Sequence, residues 1–313
     1  MKTTMISLIT AICMLSSLAC TKSTDSTPGL TVSVPPGGNI QAAIDSVAAA
    51  GGGTVNLASG TFTITSSIRL KANVILNGAG DPNTTITSTT PMTIITTDQE
   101  GLANLTIQNL KIIGIANDSA SIGIWIASLN AYFKNVKISN VQVTNCGGIG
   151  VHIKRTDTAS VLNCNLNNNG CTVFYHNIYV RESLYVTISG NKLTGSPNGT
   201  GLHVAGVCSH LTITANTVTN NGIAGMNIQD SPDIVFIQNN TVSGNGVNHI
   251  TGHGDGISFT GTNATIESNI TNNNYENGIH TWNGSGSVTN NHALGNGEKN
   301  YYIDGSYTQS NNL

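Results

Sequence analysis

The chain has 313 residues, of which only 9% are charged, and its formal net charge is −3. It shows neither a basic patch for nucleic acid nor a polybasic segment for anionic lipid, so we expect no nucleic-acid partner. Abundant glycine (35 residues), asparagine and threonine favour turns and β-structure over helices.

The first 30 residues have the pattern of an export segment. Lys2 precedes an apolar run from Met5 to Ala19, which is too short to span a bilayer but typical of a secretory signal. Small residues stand before Cys20, as in bacterial lipoprotein signals. We predict a signal peptide over 1–19, a lipid on Cys20 and a polar tether over 20–30. The expected location is outside the cytoplasm, at the outer membrane, in the periplasm or at the cell surface, with the lipid as the one membrane contact.

Residues 39–51 predict a short amphipathic helix. Asn39 is a good N-cap, and Gly51 can end the helix. Between them an apolar stripe recurs at helical spacing, formed by Ile40, Ala43, Ile44, Val47 and Ala48. Such a helix would cover the open end of a stack of strands, where unpaired edges are a hazard.

The remaining residues, 31–313, repeat with a period of about 25 residues, which predicts a single solenoid domain and a monomer. The repeated frame is apolar-x-apolar-x-x-Asn-x-apolar, with the asparagine column Asn191, Asn216, Asn240, Asn269 and Asn291. Upstream, the same column holds Leu110, Val141 and Cys164. Amides stacked about 4.8 Å apart can bond to one another and to the turn backbone. Cys146 and Cys171 could pair as a disulfide between neighbouring coils.

Each coil then has a second strand with alternating apolar residues, most often begun by a glycine. Its outward positions predict a central column of Trp125, Gly150, Tyr179, His203, Asn227, Ser258, His280 and Tyr302. The next outward column is predicted as Ala127, His152, Arg181, Ala205, Gln229, Thr260, Trp282 and Asp304. We expect these side chains to form an exposed face, rich in aromatic residues, histidine and arginine.

The segments NIQAAIDSVAAAGGGTVNLASGTFTI and LKANVILNGAG, within residues 38–80, resemble the N-terminal part of the pectate-lyase-like β-helix superfamily. The resemblance, continued by the asparagine repeats, implies an all-β, single-stranded, right-handed parallel β-helix with an N-terminal capping α-helix. It also implies a sugar-binding groove on the outward face of the first sheet. The expected partner is therefore an acidic polysaccharide or oligosaccharide.

The favoured hypothesis is a lyase that cleaves a uronic-acid polymer by β-elimination. Such a reaction needs a base and a cation that neutralises the uronate carboxylate. We predict Arg181 as the cation and His203 or Tyr179 as the base. Predicted substrate-binding residues on the face and in the enlarged loop 246–255 are Trp125, His152, Asn227, Gln229, His280, Trp282, His253 and Asp255.

Two other functions remain open on the sequence. An inverting glycoside hydrolase would need paired carboxylates, for which Glu182 and Asp230, two coils apart, are candidates. A surface glycan-binding or structural β-helix would need no catalytic group. We predict no cofactor and no metal site, since calcium would require several converging carboxylates that the pattern does not supply.

Overall fold

The computed structural model describes residues 29–313. The predicted signal peptide, the lipidation site Cys20 and nearly all of the tether lie outside the described residues, so those assignments stay predictions. No helix within 29–313 is both long and apolar enough to cross a membrane.

The described chain contains 28 strands and one helix. The first half comprises β1 (Leu30–Val34), α1 (Ile40–Ala49), β2 (Gly53–Leu57), β3 (Gly60–Ile64), β4 (Ile68–Leu70), β5 (Val74–Asn77), β6 (Thr84–Ser88), β7 (Thr93–Thr97), β8 (Ala103–Ile113), β9 (Ile122–Ala127), β10 (Phe133–Thr144), β11 (Val151–Lys154), β12 (Thr156–Leu162) and β13 (Asn165–Asn167). The second half comprises β14 (Ile178–Arg181), β15 (Leu184–Ser189), β16 (Lys192–Thr194), β17 (Leu202–Ala205), β18 (Ser209–Thr214), β19 (Thr217–Thr219), β20 (Met226–Ile228), β21 (Asp233–Gln238), β22 (Thr241–Ser243), β23 (Ile257–Glu267), β24 (Ile270–Asn272), β25 (Ile279–Thr289), β26 (His292–Leu294), β27 (Tyr301–Ile303) and β28 (Ser306–Ser310).

The strands wind into a parallel β-solenoid of about 12 turns, which confirms the predicted fold class. Each strand pairs in parallel with the equivalent strand of the next coil, for example β14 with β17 and β17 with β20. We call the sheet built from β4, β7, β9, β11, β14, β17, β20, the first parts of β23 and β25, and β27 the face sheet. The interior is aliphatic, because period-2 alternation turns every second side chain inward.

The N-terminal helix α1 is the predicted cap. The side chain of Asn39 accepts a hydrogen bond from the backbone N–H of Ala42, so the N-cap is confirmed. Ile40, Ala43, Ile44 and Val47 are buried on the side of the helix that faces the core.

The asparagine column is a continuous buried ladder. The Oδ1 atom of Asn216 accepts hydrogen bonds from both the backbone N–H and the side-chain amide of Asn191, each at 3.0 Å. The amide of Asn216 in turn donates to the carbonyl of Ile188 and to Oδ1 of Asn240, each at 2.9 Å. The left-handed backbone at this bend belongs to the residue before the asparagine, such as Ala215 at φ 55. The ladder positions therefore require asparagine for the hydrogen bonds of its side-chain amide, and not for a left-handed backbone conformation.

A second buried ladder runs five residues after the first, and the sequence analysis missed it. Asn221 donates to Asn245, Asn245 to Asn274, and Asn274 to Asn296, at 2.9–3.0 Å between side-chain atoms. Its signal was present as a second asparagine at a fixed offset from the first in four successive repeats. The two ladders pin both ends of the third short strand of each coil.

The described cysteines are free thiols. Cys146, Cys164 and Cys208 are buried, where burial raises the pKa of each thiol to about 11 or 12. Cys171, the candidate partner of Cys146, is half-buried and unbridged, so the disulfide suggested by the spacing is not formed.

Candidate functional site

The central outward column of the face sheet differs from the prediction at one coil. His152 pairs with Trp125 on one side and with Tyr179 on the other, so His152, not Gly150, belongs to this column. The prediction that put His152 beside Arg181 is wrong by two residues. Lys154 takes that place, paired directly with Arg181.

The reason for the shift is a doubled glycine before this strand. A Cβ atom on Gly150 would lie only 2.6 Å from the carbonyl oxygen of Asn177 on the next coil, so the position requires glycine. The same close approach to the next coil's backbone recurs at Gly123, Gly201, Gly225, Gly256 and Gly278. Gly148 instead lies beside the carbonyl oxygens of Ser119 and Ser121, so it is not the equivalent glycine of this coil. In these six coils the glycine that meets the next coil stands two residues before the outward side chain of the central column.

The corrected column forms an aromatic stack. The ring of His152 meets Trp125 edge-on at 4.3 Å and stacks on Tyr179 at 4.8 Å between centroids. Tyr179 is followed by His203 at 5.1 Å. The register then continues through Asn227, which pairs directly with His203.

His176, which was not among the predicted site residues, adds a further ring to this stack. It comes from the turn before β14 and stacks on His203 with centroids 4.5 Å apart. Its Nδ1 atom accepts a hydrogen bond from the backbone N–H of Thr200 at 3.1 Å. The sequence predicts only that His176 lies in a turn before a strand of the face sheet. Its contact with His203 joins two different coils and could not be predicted from the sequence.

The histidines are buried, although the sequence predicted an exposed face. His152, His176 and His203 retain 5%, 5% and 9% of their accessible surface, because stacked neighbours and turn loops cover them. Burial lowers the pKa of His152 to about 3 and that of His203 to about 4, the latter opposed by the charge of Asp230. The pKa of His176 is also held well below its ordinary value by burial and by the two other histidines. The site is therefore lined by neutral imidazoles.

Tyr179 and His203 face a cleft of about 540 Å³. Loop 246–255 supplies Ile250 and His253 to it, next to Asn227 and Gln229. The complete lining is Val173, Phe174, His176, Tyr179, Thr200, His203, Ile223, Asn227, Gln229, Ile250 and His253. Burial raises the pKa of the Tyr179 phenol, against the opposing charge and hydrogen bond of Arg181. The Nδ1 atom of His203 is buried and has no hydrogen-bond partner among the described residues.

A cationic cluster lies next to this cleft. Glu182 forms ion pairs with Lys154, Arg155 and Arg181 at 3.8, 2.7 and 3.0 Å. Burial disfavours ionised Glu182, but the hydrogen bond from Arg155 and the three positive charges outweigh it and lower its pKa. Three of the 12 lysines and arginines of the chain thus surround one carboxylate, and the Arg181 side chain remains 46% exposed.

The predicted carboxylate pair occupies equivalent positions, as expected, but the two groups are engaged. Asp230 accepts a hydrogen bond from the backbone N–H of Gly206, at 2.7 Å. Glu182 is held by the cations just described. An inverting hydrolase needs one carboxyl group with a raised pKa as general acid, and Glu182 is shifted the other way.

A second, smaller pocket of about 190 Å³ lies farther along the face. It is lined by Thr251, Gly252, Asp255, Glu276, Asn277, His280, Trp282, Glu298 and Tyr302. Asp255 is only 3% exposed, and its Oδ2 atom lies 2.9 Å from Nδ1 of His280. His280 is sandwiched between Trp282 at 3.9 Å and Tyr302 at 4.6 Å. Six of the eight predicted substrate-binding residues therefore divide between two pockets, Asn227, Gln229 and His253 in the cleft and Asp255, His280 and Trp282 in the second pocket. Trp125 and His152 line neither of them.

The described residues contain no group of three or more His, Cys, Asp or Glu side chains that could hold a metal ion. The expectation of a metal-free chain stays a prediction.

The fold is shared with several solved structures. The Streptococcus pneumoniae surface protein and adhesin PfbA is 17% identical with a TM-score of 0.65, covering 90% of this chain and 89% of that chain. The periplasmic alginate epimerase AlgG is 14% identical with a TM-score of 0.60, covering 92% and 79%. Pectate lyase Pel9A is 16% identical with a TM-score of 0.55, also covering 92% and 79%. At these identities the likeness shows the fold alone.

A comparison with curated proteins found no match. The family model "Right handed beta helix region" matches residues 93–254, which is more than half of the chain. The chain is thus a right-handed parallel β-helix and belongs to the right-handed β-helix family.

Proposed function

We propose that this protein is a polysaccharide-active enzyme that cleaves a uronic-acid polymer by β-elimination. The observation that carries the proposal is the grouping of three unlike side chains, two of which line one cleft while the third is hydrogen-bonded to one of them. A neutral buried imidazole (His203), a protonated phenol (Tyr179) and an exposed guanidinium (Arg181) come from adjacent coils. A uronate polymer as the substrate class is supported by the similarity of the fold to a pectate lyase and to an alginate epimerase.

Each side chain has a role in the proposed reaction. Arg181 would pair with the uronate carboxylate and stabilise the negative charge that develops when the neighbouring C5–H bond breaks. His203 would accept that proton, since it lines the cleft and its imidazole is unprotonated above a pH of about 4. The bound carboxylate would favour the protonated imidazole and so offset the effect of burial.

Completion of the elimination needs a proton for the leaving group. The electron pair of the C5–H bond forms the C4–C5 double bond as the C4–O bond breaks, and Tyr179 would protonate the departing oxygen. Its raised pKa keeps the phenol protonated until that moment. The products are one chain with an unsaturated uronate and one with a new end. His203 then returns its proton to solvent, and Tyr179 takes one up.

The reaction can be tested with the purified protein on polygalacturonate, alginate and glycosaminoglycans. Elimination gives the ultraviolet absorbance of an unsaturated uronate, whereas hydrolysis gives new reducing ends without it. His203→Ala and Arg181→Ala should each lower turnover by about 100-fold or more. His292→Ala is the matched control, because His292 is exposed on β26, away from the face sheet. Wild-type rates in both site variants would refute these roles, and binding without any cleavage would favour a glycan-binding protein.

We further infer that the protein is exported. The inference rests on the signal-like run over 1–19 and on the similarity of the fold to a periplasmic enzyme and a surface protein. An extracytoplasmic location would place the site where acidic polysaccharides occur.

A further inference from the structure

The two pockets of the face differ in charge. Beside the cleft with His203 there are three cations and two carboxylates, Glu182 and Asp230, and this excess of positive charge suits an anionic sugar. The lining of the second pocket contains three carboxyl groups, Asp255, Glu276 and Glu298, and neither lysine nor arginine. One lysine, Lys299, contacts a residue of this lining, and its Nζ atom lies 4.0 Å from the centre of the Tyr302 ring.

The second pocket also presents hydrogen-bond acceptors. Nδ1 of His280 faces Asp255, so in the neutral tautomer that donates to Asp255 the remaining Nε2 atom is an acceptor. Nε2 is buried and has no partner among the described residues, in a side chain that is 5% exposed. A buried acceptor in a polar pocket needs a donor, and the hydroxyl or amide N–H of a sugar would supply it.

Trp282 gives this pocket a stacking surface. One side of its indole packs on His280, its Nε1 donates to Ser258 at 3.1 Å, and 47% of the residue remains exposed. The apolar face of a sugar ring can stack on an indole held in this way. A uronate would instead bring its carboxylate towards Asp255, Glu276 and Glu298, where like charges repel.

The two pockets can be reached by one polymer chain. Direct pairing links His203 to Asn227, Asn227 to Ser258, and Ser258 to His280. Three steps of the strand spacing correspond to about 14 Å along the face. Loop 246–255 contributes Ile250 and His253 to the first pocket and Thr251 and Asp255 to the second.

We propose that the second pocket binds a sugar residue without a carboxylate, so that the substrate is a heteropolysaccharide in which uronates alternate with uncharged sugars. The proposal rests on the proposed function for the meaning of the first pocket. It excludes homopolymers of uronate as the preferred substrate, because these would place a carboxylate in the acidic pocket.

The test compares polymers of both kinds by the rate of unsaturated-uronate formation. Chondroitin and hyaluronan, in which uronates alternate with N-acetylhexosamines, should be cleaved with higher kcat/KM than polygalacturonate and alginate. Trp282→Ala should raise KM for the preferred polymer about tenfold, from loss of the stacking contact, with little change in kcat. Phe236→Ala is the matched control, since Phe236 is also an exposed aromatic residue but lies on β21, outside the face sheet.

A charge change gives the converse result. Glu298 is exposed, so Glu298→Lys should fold normally. It should raise kcat/KM on polygalacturonate relative to chondroitin, because a cation replaces one of three carboxyl groups. Faster cleavage of the homopolymers by the wild type, together with no effect of Trp282→Ala or Glu298→Lys, would overturn this inference and leave the proposed elimination intact.

Failure of the proposed function would be seen separately. Binding of N-acetylglucosamine oligosaccharides, which carry no carboxylate, can be followed by isothermal titration calorimetry in wild type and Trp282→Ala. Binding that depends on Trp282, without elimination on any polymer, would refute the lyase and support the uncharged-sugar pocket. Absence of both elimination and such binding would refute both.

Discussion

The imidazole of His176 stacks on that of His203 at 4.5 Å, although one residue lies in a turn and the other in the middle of a face strand. Each ring excludes water from the other, and the charge of either would raise the cost of protonating its neighbour. Acid should therefore act on this part of the protein both through stability and through turnover.

We predict that the free energy of unfolding rises with pH between about 4 and 6.5. The folded-state pKa of His152 is about 3 and that of His203 about 4, against an ordinary value of 6.5. Between these values the unfolded chain binds protons that the folded chain does not, so acidification favours unfolding. The stabilisation is complete above 6.5 and is lost as the pH falls towards the folded-state values.

His152→Phe tests this directly, because a phenyl ring can occupy the space between Trp125 and Tyr179 without titrating. Over that pH range the variant should lose a slope of about 1.4 kcal/mol per pH unit, measured by denaturant unfolding. His292→Gln, which removes an exposed histidine, should keep the wild-type slope. An unchanged slope in His152→Phe would show that His152 is not buried as described.

The ion pairs of Glu182 predict a change in substrate binding. Glu182 competes with any substrate carboxylate for Arg181, so Glu182→Gln should lower KM for a uronate polymer, whereas Arg181→Ala should raise it by about tenfold or more. Lys134→Ala, on the exposed part of β10, should leave KM unchanged. Parallel changes of KM in Glu182→Gln and Arg181→Ala would contradict the competition, and the initial-rate curves of the four proteins decide it.

The buried ladder predicts a stability cost at a single amide. Asn216→Ala leaves the backbone N–H and the amide of Asn191 without their acceptor and the carbonyl of Ile188 without a donor. We expect a loss of about 1–3 kcal/mol in the free energy of unfolding. Thr217→Ala, at the exposed adjacent position, should cost less than about 0.5 kcal/mol. Equal costs in the two variants would mean that the ladder does not stabilise the fold.

The lipid on Cys20 is tested by labelling in a bacterial host. Wild type should incorporate radiolabelled fatty acid and sediment with membranes, and Cys20→Ser should do neither. Cys208→Ser, which changes a buried cysteine of the solenoid, controls for thiol chemistry in general. A wild-type protein that is unlabelled and remains in the supernatant would refute the lipoprotein prediction.

The repeat made the fold predictable, because each recurring residue type satisfies a requirement of its own local structure. Asn39 marks the start of the capping helix, and Asn191 and Asn216 mark the ladder. The face was less predictable, since its alignment depended on which of two nearby glycines, Gly148 or Gly150, meets the next coil. The order of residues along the chain does not show which glycine contacts the backbone of the next coil.

The burial of the site could not be predicted from the sequence either. An outward position in a strand predicts exposure, yet His203 is covered by a ring from the preceding turn and by its neighbours in the stack. His280, the partner of Asp255, and Arg155, a partner of Glu182, likewise come from other coils. Such contacts depend on loop paths that composition and spacing do not determine.

The two asparagine ladders have a consequence for how this protein can change. Added residues between the ladder and the face, as between Asn240 and Ser258 compared with Asn216 and Asn227, leave the pairing of the flanking strands intact. The inserted segment lines both pockets while the amide spine continues beneath it. Substrate specificity can therefore change through insertions or grafted segments between Asn240 and Ser258, while the core of the solenoid stays the same.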